Sequence, residues 1–413
     1  MREIELMTGN TAAAWAARLA DVDYIPAYPI TPQTEIIETL AKWIGEGLMK
    51  AKLVQVESEH SMLTAAGTAS LTGARVFTAT SSQGLLYGFE MLYNIAGWRA
   101  PLVLVNVSRG LAAPITLEPD HNDVLSARDS GFIQLHAETC QEVLDLILLA
   151  YRVSEDKRVM LPTIVNMDGF YLSFTREPVK LPRAELVAEF LPPYEAFRPF
   201  RSGSSVIKGA PVIGGHVYAY FKYNIHESVN RALSVFQEAA KQFEETFGRR
   251  VEPVEGFLLD EAEYVLVMSN SFSTIGKRAV KLLRREGIPA GLLKIVMMRP
   301  FPKEIIAKTL SNRTAVAVFD QNISPGLGGI IYHETAGTLY HVRNRPQLLL
   351  SVIGGLGGKF TSYEEIKYVF ELLRNPEKVD PHKPVFLFRK DELKDVTKAL
   401  ELAGWRSEGL SHG

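Results

Sequence analysis

The stretch KLVQVESEHSMLTAAGTASLTGARVFTAT, Lys52 to Thr80, decides how the chain folds. KLVQVES reads as a short strand. SMLTAAGTASLTGA reads as a helix whose Ala, Gly and Ser residues let a neighbour approach closely. ARVFTAT is an apolar run ended by small polar residues, the pattern of a buried strand. Strand, helix and strand in immediate succession form the unit of a parallel α/β sheet.

The same alternation extends in both directions. Ahead of it, TGNTAAAWAARLADV is a helix rich in small residues, followed by the extended DYIPAYPI. Behind it, PLVLVNVS, FIQLHAE and LPTIVNMDG are further buried strands, separated by the helical segments GLLYGFEMLYNIAGW and ETCQEVLDLILLAYRVSED. This predicts a parallel sheet covered on both faces. Between Leu181 and Pro253 the text becomes rich in proline, arginine and glycine, and then Asn224 to Arg250 reads as one long helix. A second alternating block follows, with EYVLVMSNS, AGLLKIVMMRPFP, TAVAVFDQN and LLLSVIGGLGG as strands or strand ends. Its helix SFSTIGKRAVKLLRREG has Ser273 as a candidate cap and Gly287 as its stop. The class is α/β, with a first domain over 1–182, a connecting arm and helix over 183–255, a second domain over 256–395 and a tail over 396–413.

Composition narrows the function. The chain has 413 residues, 46% hydrophobic and 22% charged, with a formal net charge of −2. That balance gives no basic field for nucleic acid or an anionic membrane. Cys140 is the single cysteine, which excludes a disulfide framework and any iron–sulfur cluster held by this chain alone. The start, MREIELMTGN, lacks the apolar core of a signal peptide, and no apolar run reaches the roughly 20 residues of a membrane span. The expected location is the cytoplasm.

Several motifs invite a chemical reading. PGLGGI and GGLGGKF each miss a defining position of the dinucleotide fingerprint and of the P-loop: Ile331 and Ile353 stand where glycines belong, and Phe360 replaces the magnesium-binding hydroxyl. They read as strand-to-helix turns. DHND, Asp120 to Asp123, reads as a helix-capping turn before a metal site, and Cys140 as a small buried residue. In VESEHS, Glu57 and Glu59 close a strand and would share a face in extended chain. One of them is either a carboxyl for proton work in a cleft or part of an acidic turn that caps the next helix; composition leaves the two level. In AYPITPQTE, Ala27 to Glu35, two prolines hold Ile30 and Thr31 in a stiff turn. Arg109, directly after PLVLVNVS, is either a surface arginine or a clamp for a planar carboxylate. Thr31, Glu59 and Arg109 each follow a different strand, and strand ends in a parallel sheet are where ligands collect.

These residues, in this order, resemble the alpha chain of the 2-oxoacid:ferredoxin oxidoreductases, of which pyruvate:ferredoxin oxidoreductase is the best known. The matching text is AYPITPQTE, VESEHSMLTAAGTASLTGARVFTATSSQGLLYGFEMLY, SRGLAAPITLEPDHNDVLSARDSGFIQ, MMRPFP and FDQNISPGLGG. The resemblance implies a thiamine-diphosphate pyrimidine-binding domain, a doubly wound parallel sheet, followed by a domain like the transketolase C-terminal domain. It implies that Glu59 is catalytic, bonding the aminopyrimidine ring of the cofactor and stabilising the imino tautomer that accepts the thiazolium proton. It further implies that Pro29 lines the cofactor, that Thr31 contacts the oxoacid and that Arg109 holds its carboxylate.

The motif for magnesium and diphosphate, GDG followed by asparagine, is absent; MDGFY at Met167 is the nearest text. In multi-subunit relatives that half lies on a beta chain, which also carries a cluster, beside a gamma chain and a ferredoxin-like delta chain. The implied activity is oxidative decarboxylation of a 2-oxoacid to an acyl-CoA, electrons passing to iron–sulfur clusters on partner chains, with this chain inactive alone. Pyruvate is the default substrate. Glu118 in TLEPDHND, where pyruvate-specific members tend to carry an aromatic residue, marks a specificity position and leaves an aromatic or branched 2-oxoacid, such as phenylglyoxylate, as the alternative. A non-oxidative decarboxylase or a transketolase-like subunit would use the same glutamate.

Overall fold

A computed structural model of the chain describes residues 4–203 and 205–404. The first sheet forms where the apolar runs lie. Phe77–Thr80, Val103–Ser108, Thr163–Asp168 and Ile133–His136 run side by side in parallel, in that order. Every residue of these strands is buried, as a sheet covered on both faces requires. A bridge from Tyr24 to Val76 extends the layer to the parallel pair Tyr24–Ala27 and Lys52–Gln55. Helices Gly9–Leu19, Glu59–Leu71 and Cys140–Ser154 supply the cover. The small residues of the first two fit close packing: a side chain at Gly67 would come within 2.6 Å of Ile95.

The second sheet has four parallel strands, in the order Leu348–Ile353, Ala315–Asp320, Tyr264–Ser269 and Ala290–Ile295. Val385–Phe386 adds to one edge in parallel and Val254–Phe257 to the other antiparallel. The text AGLLKIVMMRPFP holds two strands and not one. Ala290–Ile295 stays in the second sheet, whereas Met297–Arg299 crosses to pair antiparallel with Ile133–His136 in the first. A further pair, Ile4–Thr8 against Arg176–Lys180, was not evident in the sequence. Its strands are short, charged and half exposed.

The long helix spans Gly215–Phe247 and begins earlier than its pattern suggested. Its first turns expose Tyr218, Tyr220, Phe221 and Tyr223, so no apolar stripe marks them. Its later turns bury Val235, Phe236 and Phe243. The expected tail over 396–413 continues the helix Lys390–Leu402 in its first residues, while 405–413 lie outside the described residues. Among the described residues no helix is long and apolar enough to cross a membrane.

The two blocks meet through polar contacts. Lys294, buried in the second sheet, sits 2.7 Å from Glu138 and 2.6 Å from both Glu142 and Glu255. Glu138 and Glu142 belong to the first block, so these ion pairs lock one to the other. Asp168, at the end of Thr163–Asp168, accepts from Ser271 N at 3.1 Å and lies 2.8 Å from His121 Nε2. Ser271 therefore stands just before the helix Phe272–Arg285, with its hydroxyl turned to Asp168 and not to the helix. Ser273 does not cap it; its hydroxyl is buried.

Candidate active site

Glu59 is the first residue of the helix Glu59–Leu71, which Ser58 caps by accepting from Ser61 N at 3.2 Å. The chain turns from strand to helix between Glu57 and Glu59, so the two carboxylates part instead of sharing a face. Glu57 is exposed and bonded to the Ser61 hydroxyl, which lowers its pKa. Glu59 is 5% exposed. Burial raises its pKa, opposed only by its own backbone N–H. A desolvated carboxyl of this kind can share a proton with a nitrogen base near neutral pH. Glu57 is thus the exposed member of VESEHS, Ser58 is the cap of the helix, and Glu59 is the buried carboxyl.

Glycines bring the next helix, Ser82–Tyr87, against Glu59. A Cβ on Gly84 would lie 2.5 Å from Glu59 Oε1 and 2.6 Å from Thr80 Oγ1. At Gly88 it would lie 2.4 Å from Leu63 and 3.2 Å from the Glu59 carbonyl oxygen.

The prolines of AYPITPQTE close a tight turn in which Gln33 N donates to Ile30 O at 2.9 Å. Asn10 Nδ2 holds the Pro32 carbonyl at 2.9 Å, and Gln33 Nε2 holds the Tyr28 carbonyl at 2.8 Å. Thr31 and Pro29 are left exposed at the surface of this fixed turn. Arg109, buried at the end of Val103–Ser108, donates from Nη1 to the Thr31 carbonyl at 2.7 Å. Its Nη2 donates to Gln83 Oε1. Burial lowers the pKa of Arg109 and Asp123 opposes the shift, so the group keeps its positive charge. Thr31 and Arg109 are in direct contact, and Gln83 and Gly84 link Arg109 to Glu59. Pro29 shares the turn. Glu118 is exposed on the following loop; its carbonyl accepts from Gly110 N at 3.0 Å, and its side chain packs where a Cβ on Gly358 would stand.

Residues to which the sequence reading gave no place in the site complete the arrangement. Asp123 of DHND is buried and accepts from Ser82 N at 3.0 Å, Arg109 N at 3.2 Å and Asn106 Nδ2 at 3.0 Å. It also meets the Ser108 hydroxyl at 3.0 Å. The motif thus ties strand ends together, a role that spacing alone could not reveal. TSSQG, which carries Gln83, follows a strand as the other site residues do, and that placement was the one signal available.

The glycine-rich turn PGLGGI leads into a helix whose first backbone N–H groups the chain itself satisfies. Asp320 accepts from Ile331 N at 2.8 Å and from Tyr332 N at 3.1 Å, so the helix Ile330–Leu339 is capped from within. Its carboxyl, buried, is raised to about 6. Asp168 of MDGFY is likewise committed to His121 and Ser271. The acidic group Glu138, Glu142 and Glu255 is occupied by the ammonium of Lys294.

Residues 15–244 match the family described as pyruvate flavodoxin/ferredoxin oxidoreductase, thiamine diphosphate-binding, and residues 262–366 match pyruvate:ferredoxin oxidoreductase core domain II. The pyruvate synthase subunit PorA of Methanocaldococcus jannaschii is 41% identical, over 91% of this chain and 96% of that one. The ketoisovalerate oxidoreductase subunit VorA of Pyrococcus horikoshii is 40% identical, over 89% of this chain and 93% of its own. Among solved structures, the 2-oxoglutarate:ferredoxin oxidoreductase of Magnetococcus marinus shares the fold, with a TM-score of 0.69 and 20% identity over 90% of this chain and 66% of that one. The chain, with its thiamine-diphosphate-binding first block and its second α/β block, belongs to the pyruvate:ferredoxin oxidoreductase family.

Proposed function

We propose that this chain is the alpha subunit of a 2-oxoacid oxidoreductase that converts pyruvate and CoA to acetyl-CoA and carbon dioxide, and that it holds the pyrimidine end of thiamine diphosphate and the substrate. The observation that carries the reading is the buried Glu59 carboxyl. It has no side-chain hydrogen-bond partner among the described residues, and Gly84, which lacks a side chain, packs directly against it. A heteroaromatic ring with one basic nitrogen would supply the missing partner, since a buried carboxyl gains from such a hydrogen bond.

Bound thiamine diphosphate supplies an electron sink for loss of carbon dioxide from the oxoacid. Glu59 holds a proton at the ring nitrogen of the pyrimidine, with Pro29 on the adjoining turn. Arg109 binds the oxoacid carboxylate, and Thr31 contacts the oxoacid from the same turn. Glu118 borders the site on the side of Gly358 and bears on substrate size. The balance is one pyruvate and one CoA giving acetyl-CoA, carbon dioxide, a proton and two electrons.

The diphosphate and magnesium end belongs, in this reading, to a beta subunit that also carries a cluster. Gamma and ferredoxin-like delta chains take the electrons onward, this chain holding no cluster of its own. Assembly is in the cytoplasm and activity requires the beta subunit. The domain limits 1–182, 183–255 and 256–395 fit this division of labour, with Met297–Arg299 returning to the first sheet.

Pyruvate is the substrate of choice because relatives named pyruvate synthase are up to 41% identical. A branched 2-oxoacid is the second reading, supported by relatives named for ketoisovalerate at 40%. The purified complex, given a panel of 2-oxoacids with CoA and a viologen acceptor, tests the proposal. The highest kcat/KM is expected for pyruvate; a preference for 2-ketoisovalerate installs the second reading, and no turnover of any 2-oxoacid overturns both.

A further inference from the structure

We propose that Gln83 is a recognition residue for the oxoacid: its amide oxygen aligns Arg109, and its amide N–H meets the substrate's carboxylate or ketone oxygen. The inference rests on the reading of Arg109 as the carboxylate clamp.

The first argument is the orientation of the amide. Gln83 Oε1 accepts from Arg109 Nη2 and lies 2.6 Å from the Ser82 hydroxyl. A guanidinium carries donors only, so glutamine must turn its oxygen towards Arg109 and its nitrogen away. That nitrogen, Gln83 Nε2, is buried and without a partner among the described residues, as is Arg109 Nε. Two touching residues thus each keep a buried N–H donor unused. Buried donors left unpaired are costly and uncommon. A planar anion with two or three coplanar oxygens would satisfy both at once, and a 2-oxoacid is such an anion.

The second argument is backbone strain. Ser82 has φ +49°, a left-handed conformation that a serine seldom adopts. It is held there from two sides: Ser82 N donates to Asp123, and the Ser82 hydroxyl lies 2.9 Å from the Gly110 carbonyl oxygen. Asp123 also accepts from Arg109 N. One buried carboxylate therefore fixes both chain segments from which Gln83 and Arg109 project. Strain supported in this way marks a position whose geometry matters. The third argument is place. The next residue, Gly84, lies against the Glu59 carboxyl, so Gln83 stands between that carboxyl and the guanidinium.

Gln83→Glu in the purified complex is the test. It keeps the length and the oxygen that meets Arg109, removes the N–H and adds a negative charge. The KM for pyruvate and the Ki of oxamate, a carboxylate-bearing mimic, are expected to rise together by at least tenfold. The KM for CoA and the Kd for thiamine diphosphate should stay within twofold of the parent. An unchanged pyruvate KM, or an equal rise in the CoA KM, overturns the proposal. Should that variant not assemble, Gln83→Met, of similar volume with neither polar atom, carries the same expectations. Arg109→Ala, measured alongside, separates the two levels. If it raises the pyruvate KM while the Gln83 variants do not, Gln83 alone is misread; if neither does, the clamp itself is misread.

Discussion

Gly84→Ala is the substitution whose consequence follows most directly from the geometry at Glu59. The new methyl carbon would stand 2.5 Å from Glu59 Oε1, and ordinary contact begins at 3.4 Å, so the two must separate by about 0.9 Å. Thr80 Oγ1, at 2.6 Å, crowds the same methyl. Overpacking of this kind costs about 1–3 kcal/mol, and replacing a helical glycine by alanine returns up to about 1 kcal/mol. The net loss, at most about 3 kcal/mol, lowers the melting temperature by no more than several degrees. Displacing a catalytic carboxyl by nearly an ångström, in contrast, lowers kcat by about a hundredfold. The assay is pyruvate-dependent reduction of a viologen by the purified complex, read beside thermal unfolding. Gly97→Ala is the control: it lies in the helix Phe89–Trp98 with nothing within 4 Å of the added methyl, and it should leave both readouts unchanged. Full kcat in Gly84→Ala would refute the assignment of Glu59 to the chemistry.

Further outcomes test other parts of the arrangement. Glu59→Gln should lower kcat by about 10²- to 10⁴-fold, the usual worth of a positioned proton-transfer group, with subunit assembly intact by gel filtration. The same variant has a signature in stability. Because burial raises the Glu59 pKa, the native chain holds a proton that the unfolded chain has lost above about pH 4.5, and stability falls as pH rises through that window. Glu59→Gln should therefore melt higher than the parent at pH 7, and the difference should vanish towards pH 4. Arg109→Ala should raise the KM for pyruvate far more than that for CoA, because only the oxoacid offers a carboxylate to the guanidinium; equal changes would remove the clamp. Lys294→Met removes the buried cation that Glu138, Glu142 and Glu255 share, leaving Glu142 without a cation while Lys277 still holds Glu138 and Glu255, and should cost about 3–5 kcal/mol in denaturant unfolding.

The parallel sheets were legible because strands buried on both faces are continuous apolar runs: VLVNVS and AVAVFD need no partner to be recognised. Strands outside that environment were not. REPVK is half exposed and gains its partner, IELMT, only through a contact across nearly the whole first block. Met297–Arg299 reads as a continuation of its neighbour, and only the geometry of the two blocks sends it to the other sheet. At the site, Thr31, Glu59 and Arg109 stood out by their shared placement after strands. What composition could not divide was Glu57 from Glu59, since the split depends on where the helix begins. Gln83 and Asp123 escaped for a related reason. Their roles arise from contacts between residues 26 and 41 positions apart along the chain, which no local pattern records.

The most direct measurement of the central claim is the stoichiometry of one turnover. The complex containing this chain is supplied with thiamine diphosphate, magnesium, CoA and pyruvate labelled at its carboxyl carbon, with a viologen as acceptor. Each labelled carbon dioxide released should be matched by one acetyl-CoA and two reduced viologens. Labelled carbon dioxide appearing with acetaldehyde and without viologen reduction would contradict the oxidoreductase, and assign the same site to non-oxidative decarboxylation.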